Sequence, residues 1–203
     1  MSTNWDEAYR QKTVADRSWT EAIPQPSLRL IEQAGVRADD AIIDVGGGAA
    51  RLADELHRRR FGDLTVLDVS HLALDEARSR LGDEVTWIHA DLMQWLPARR
   101  YQLWHDRAVF HFLVEPEHQA RYVELCESAI APGGALVIGA FAPDGPENCS
   151  GLNVRRWSAP ELNERFAPSF VPVANFEHDH VTPWGLVQPF TWVLLKRQNT
   201  SRD

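Results

Sequence analysis

The sequence predicts an α/β fold: a doubly wound, mostly parallel sheet of seven strands that ends in an antiparallel hairpin. Three observations predict it. Short apolar runs, unbroken by polar alternation, alternate with segments of helical period through the middle of the chain. A glycine cluster follows the first of these runs. In the last third, two further strand-like runs are joined by a turn short enough for a hairpin.

The elements follow in order. The first 40 residues read as a helix, an aromatic-containing loop and a second helix, SLRLIEQAGV. AIIDV (41–45) is a buried strand, and ARLADELHRR (50–59) places Leu52, Ala53 and Leu56 at helical spacing. LTVLDV (64–69) and VTWIHA (85–90) are the next strands, separated by the helical LALDEARSRL (72–81). A fourth strand lies in YQLWHDRAV (101–109). EHQARYVELCESAI (117–130) has Ala120, Val123, Leu125 and Ile130 on a helical pattern. Pro132-Gly133-Gly134 opens a fifth strand, GGALVIGAF. After a helix at 159–166, the runs 169–180 and 188–197 form the hairpin around VTPWGL, with Pro172 and Pro189 suited to strand ends or edges.

A length of 203 residues fits one domain, 1–203, with residues 1–40 as a helical cap and 142–157 as a loop on the substrate side. The net charge of −8 argues against general affinity for nucleic acid or anionic membrane. No apolar run approaches the roughly 18 residues of a membrane span. The polar N-terminus lacks a signal-peptide core and the two cysteines form no framework, so a reduced, cytoplasmic protein is expected, monomeric or homodimeric. Cys126 reads as core and Cys149 as exposed in a polar loop. Of the 8 tryptophans, Trp5, Trp19, Trp157 and Trp184 sit outside the clear strands. His178 and His180 share one side of a strand, but no third ligand joins them, so no metal site is assigned.

The chemistry starts at Asp44-Val45-Gly46-Gly47-Gly48, between a strand and a helix. Glycines let the backbone turn tightly and let a ligand approach it. Asp68 follows 24 residues after Asp44, at the end of the second strand. An acid about 20 residues on is placed to grip ribose hydroxyls. A dinucleotide such as NAD needs its pyrophosphate neutralised at a helix N-terminus. Asp44 would repel that pyrophosphate and suits a cationic amine.

The spacing Asp44-x-Gly46-x-Gly48-x-Ala50 resembles the D/E-x-G-x-G-x-G motif of class I S-adenosylmethionine (SAM)-dependent methyltransferases, with Ala50 in the last place. HADLMQW (89–95) is similar to the segment of that family that contacts adenine, with Asp91 at its acid. The ordered set covers roughly residues 40–197 and implies a Rossmann-like fold and SAM as cofactor, leaving S-adenosylhomocysteine (SAH) as product. It implies cofactor contacts at Asp44, Gly46, Gly47, Gly48, Asp68, Val69, Asp91, Leu92 and Asp106.

The acceptor is expected past the fourth strand, in LWHDRAVFHFLVEP (103–116). Asp106 lies near the methionine moiety or acceptor, or pairs with Arg107. Arg107 binds an anionic acceptor, or pairs with Asp106. His111 orients the acceptor or takes a proton, or is a satisfied core residue. These three are the candidate catalytic residues. Trp5, Tyr9, Trp19 and Cys149 join Arg107 and His111 as candidate substrate contacts. The segment resembles the W-D-R-G stretch of thiol S-methyltransferases, with Ala108 in place of glycine, and the D-K-G-T segment of protein-lysine methyltransferases. It is similar also to a group of bacterial class I methyltransferases sharing DRAVFHFL and TPWG…Q-F. The acceptor is expected to be a small molecule or a protein side chain. The alternatives are a non-catalytic SAM- or nucleotide-binding module and an NAD-dependent oxidoreductase.

Overall fold

The computed structural model describes residues 5–199; residues 1–4 and 200–203, the outermost ends of the expected cap and of the tail, lie outside the described residues. In chain order the strands are β1 (Ile42–Val45), β2 (Leu64–Asp68), β3 (Thr86–His89), β4 (Tyr101–Arg107), β5 (Ile130–Phe141), β6 (Asn148–Cys149), β7 (Leu152–Asn153), β8 (Phe170–Val181) and β9 (Val187–Arg197). The helices are α1 (Trp5–Gln11), α2 (Gln25–Ala34), α3 (Leu52–Arg58), α4 (His71–Leu81), α5 (Pro116–Ala129) and α6 (Ala159–Phe166).

Seven strands form one sheet in the order β3-β2-β1-β4-β5-β9-β8. The pairings among β1 to β5 are parallel, and β9 and β8 add antiparallel. Strand order reverses between β1 and β4. In open α/β sheets that reversal opens a crevice at the carboxyl ends of the strands. Apolar side chains cover both faces. On one, α2, α3 and α4 pack Leu30, Leu56 and Leu74 with Leu103 and Trp192. On the other, α5 and α6 pack Tyr122, Leu125 and Phe166 with Trp104 and Ile138.

Two expectations are corrected. Helix α5 buries Gln119, Tyr122, Leu125, Cys126 and Ala129, leaving Ala120 exposed and Val123 half-buried. The helix is rotated because polar groups anchor it: the Tyr122 hydroxyl donates to Asp106 at 2.5 Å, and the Gln119 amide donates to the Leu113 carbonyl at 2.7 Å. Trp157 belongs to the core, 1% exposed, whereas Trp184 is 56% exposed at the β8–β9 turn. The segment 142–157 is not all loop. It folds as the β6–β7 hairpin, with Ser150 and Gly151 both at positive φ (51° and 80°) in its turn, the backbone a two-residue type I′ turn requires.

Candidate active site

A cavity of about 990 Å3 opens where the strand order reverses, over the ends of β1, β2 and β4. Its floor is the glycine turn. Gly46 and Gly47 line it, whereas Gly48 does not. Each glycine has its own reason. Gly46 has φ +67°, and a Cβ there would lie 2.0 Å from Val109 Cγ2. At Gly47 a Cβ would lie 2.4 Å from Asp44 Oδ2, so this glycine makes room for the carboxylate. At Gly48 a Cβ would lie 2.8 Å from the Tyr9 hydroxyl and 2.9 Å from Asp68 Oδ2. Gly48 therefore makes space for those two side chains.

Asp44 is buried and lines the cavity. His105 Nδ1 donates to its Oδ1 at 2.7 Å, and His105 Nε2 bonds the Ser27 hydroxyl of α2 at 2.9 Å. Asp44 and His105 are cross-strand partners in the β1–β4 register, which puts them on one face. This pairing is absent from the sequence reading, because register is a tertiary fact. Asp68, also lining the cavity, accepts from the Ser70 backbone N–H at 2.7 Å. Burial pushes its carboxyl up to about 7, against the lowering by that hydrogen bond, and the Asp44 charge adds to the rise. Val69, Asp91 and Leu92 line the same end, and Asp91 accepts from the Met93 N–H at 2.9 Å.

The other end is aromatic. Trp5, Trp19 and Phe112 line it, Trp5 meeting Trp19 and Phe112 edge to face at 6.1 and 5.4 Å between ring centroids. The N-terminal cap that carries Trp5, Tyr9 and Trp19 is tied to α4. Asp6 accepts from the Ser70 hydroxyl at 2.7 Å, and Arg17 grips Glu76 through two bonds of 2.8 and 3.0 Å while its guanidinium stacks on Tyr9 at 4.5 Å. Tyr9 thus sits at the Asp68 corner. Cys149 is not exposed. The β6–β7 hairpin brings it half-buried to the cavity wall, where burial pushes its thiol up.

Two candidate catalytic residues are not at the cavity. Asp106 is wholly buried on the opposite face of β4, where Val109 N–H, Phe110 N–H and the Tyr122 hydroxyl donate to it. It does not pair with Arg107, because successive strand residues point to opposite faces. Burial pushes its carboxyl up to about 6. His111 is also wholly buried, packed between Phe112 and Phe141, with no hydrogen-bond partner on either ring nitrogen among the described residues. Burial, reinforced by the Arg107 charge, drops its pKa to about 3, so the ring is neutral. Arg107 does line the cavity. Its partner is Glu21 of the cap, at 3.4 Å, and its Nη1 donates to the Trp19 carbonyl at 2.8 Å. His180 reaches the same corner, bonding the Ser18 carbonyl at 2.5 Å and approaching Glu21 at 3.3 Å. Among the described residues, no group of three or more His, Cys, Asp or Glu side chains is arranged to hold a metal ion.

Residues 42–134, from β1 to the start of β5, match the sequence model of a methyltransferase domain. Over this segment the chain is similar to class I, SAM-dependent methyltransferases. The domain is 35% identical over 116 residues to trans-aconitate 2-methyltransferase of Sinorhizobium medicae, covering 56% of this chain and 43% of that protein. It is 28% identical over 137 residues to the enzyme of the same name from Yersinia pestis, covering 66% and 49%. The chain spans about half the length of the curated relatives it matches. Among solved structures, its fold is similar to 1,6-didemethyltoxoflavin-N1-methyltransferase of Burkholderia thailandensis, with TM-score 0.71, 18% identity and coverage of 98% and 92% of the two chains. It is similar also to the N-methyltransferase NodS of Bradyrhizobium japonicum, with TM-score 0.69, 16% identity and coverage of 96% and 99%. Both of these neighbours were crystallised with S-adenosylhomocysteine. No helix among the described residues is long and apolar enough to cross a membrane.

Proposed function

We propose that this chain transfers the methyl group of SAM to a small-molecule acceptor. One observation carries the reading: the cavity has two chemically different ends, acid-lined over the glycine turn and aromatic under the N-terminal cap. Its volume, about 990 Å3, lies at the top of the range of ~300–1,000 Å3 found for small-molecule pockets. That is room for two small ligands side by side. The sequence relatives are named as methyltransferases of trans-aconitate, and one structural neighbour as a methyltransferase of 1,6-didemethyltoxoflavin, both small molecules.

The acid-lined end suits the chemistry of the cofactor. Asp44, held by His105, presents a carboxylate to a cationic amino group. Asp68 accepts from ribose hydroxyls, with Tyr9 beside it. Asp91 and Leu92 take the adenine amine and ring. When bound, SAM supplies a methyl group already activated by its sulfonium. The residues of the chain then have to align and dehydrate the partners. Trp5, Trp19 and Phe112 exclude water and orient the acceptor. Asp106 and His111 do not face the cavity, so neither takes a proton from the acceptor.

Two outcomes test this. Incubation with methyl-labelled SAM and an undialysed cell extract should yield a labelled dialysable product other than SAM, with stoichiometric release of SAH, and a dialysed extract should yield none. Label confined to protein would reject the small-molecule reading, and failure of SAM and SAH to bind at millimolar ligand would reject methyl transfer altogether. Asp68 should give SAH binding a pH dependence. Its folded carboxyl sits at about 7, raised from 3.8, and the ionised form is the better acceptor for ribose. The ionised fraction grows about tenfold between pH 6 and 8, so affinity should rise by about that factor. The sign is opposite for the ligand-free fold, whose stability from this group declines as pH rises from about 4 through 7. Asp68→Asn should flatten the binding profile; an unchanged profile would take Asp68 out of the cofactor site.

A further inference from the structure

The corner formed by Arg107, Glu21 and His180 has no part in holding the cofactor as described. Arg107 enters it from β4, Glu21 from the cap and His180 from the end of β8. Nη1 of Arg107 is used on the Trp19 carbonyl, while Nε and Nη2 have no hydrogen-bond partner among the described residues and are shielded from bulk water. These two orphans form one edge of the guanidinium, the side-on pair of parallel donors that matches the two oxygens of a carboxylate. Glu21 stands 3.4 Å from Nη2 but makes no hydrogen bond to it. It balances charge without saturating the donors.

The charge of the corner points the same way. His180 Nε2 bonds the Ser18 carbonyl, and its Nδ1 stands 3.3 Å from the Glu21 carboxylate. That one carboxylate is thus shared between Arg107 and His180. A second cation, Lys12, lies 5.6 Å over the Trp19 ring, and Lys12 and Arg107 both bear electrostatically on the Cys149 thiol in the cavity wall. Asp44, the other carboxylate that acts electrostatically on Arg107, is already engaged by His105. In a chain of net charge −8, this is a local positive excess beside an aromatic wall. Buried donors left unpaired are costly, and a ligand that pairs them is correspondingly selected.

We infer that the acceptor carries a carboxylate that docks on the Nε–Nη2 edge of Arg107, with Glu21 setting the charge of that dock and His180 holding Glu21 in place. The inference rests on the methyl-transfer reading for the word acceptor, but not for the binding itself. Arg107 is then a substrate-binding residue, and Glu21 and His180 are positioning residues acting through it.

Calorimetry on the protein, with and without saturating SAH, tests it. The probes are benzoate and trans-aconitate against their neutral counterparts, benzamide and the trimethyl ester of trans-aconitate. At least one acid should bind about tenfold or more tighter than its neutral counterpart. Arg107→Ala should remove that preference and leave SAH affinity within about twofold, and Arg107→Lys should restore part of it. Glu21→Gln should tighten acid binding and leave neutral probes unchanged, an outcome a purely structural role does not produce. Acid and neutral probes binding alike, or no acid binding at millimolar concentration, would overturn the inference, and this comparison needs no variant to fold. Neutral acceptors methylated with SAH release would overturn it while leaving methyl transfer standing. Absence of SAH binding would strike methyl transfer, and the SAH-free titrations would still decide the dock.

Discussion

Asp106→Ala should lower folding stability by about 3–5 kcal/mol while the folded fraction still binds SAH. The carboxylate accepts from three groups, Val109 N–H, Phe110 N–H and the Tyr122 hydroxyl, none of which has water to turn to. Each orphaned donor costs ~1–3 kcal/mol, partly offset by relief from burying a carboxylate. The total is a large fraction of a typical stability of about 5–15 kcal/mol. Tyr122 also accepts from Trp104 Nε1 at 2.9 Å, so the loss spreads into the core beneath α5. Asp106→Asn, which keeps one acceptor, should cost about half as much. Denaturant unfolding measures the stability and calorimetry the SAH affinity. A variant of wild-type stability that no longer binds SAH would return Asp106 to the cofactor site.

Gly46→Ala should be nearly as damaging, and in both quantities. Its φ of +67° costs an alanine about 1–2 kcal/mol. Its Cβ would lie 2.0 Å from Val109 Cγ2, and β-branched Val109 is stiff at χ1, so overpacking adds ~1–3 kcal/mol. The turn must move to relieve the contact, and the cavity floor moves with it. Val109→Ala in the same chain should recover the steric share, leaving the backbone share, as a coupling of about 1–2 kcal/mol in a double-mutant cycle. Additive effects would show that Val109 is not what excludes a side chain at Gly46.

The fold was legible because its signals are local. Unbroken apolar runs such as AIIDV and LTVLD, separated by helical periods, fit buried parallel strands with helices on both sides. The acid-lined end of the cavity was legible for the same reason: Asp44, Gly47, Asp68 and Asp91 each lie at a strand end, and topology brings strand ends together. The aromatic end was less legible. In a strand buried on both faces, alternation assigns Asp106 and Arg107 to opposite sides without saying which side holds the cavity. Glu21 and His180 carry no spacing signal at all, since 159 positions of sequence separate them.

The sequence by itself thus determined the mostly parallel sheet, its closing antiparallel hairpin, the glycine turn and the acids around it. All of these follow from periodicity and from residue types that a backbone turn demands. Only the tertiary structure decided that Gly48 serves Tyr9 and Asp68, that His105 holds Asp44, that Asp106 and His111 belong to the core, and that Glu21 faces Arg107. Those facts depend on register, on helix phase and on the docking of the N-terminal cap. Each is set by packing between segments distant in sequence, and packing leaves no periodic trace in the chain.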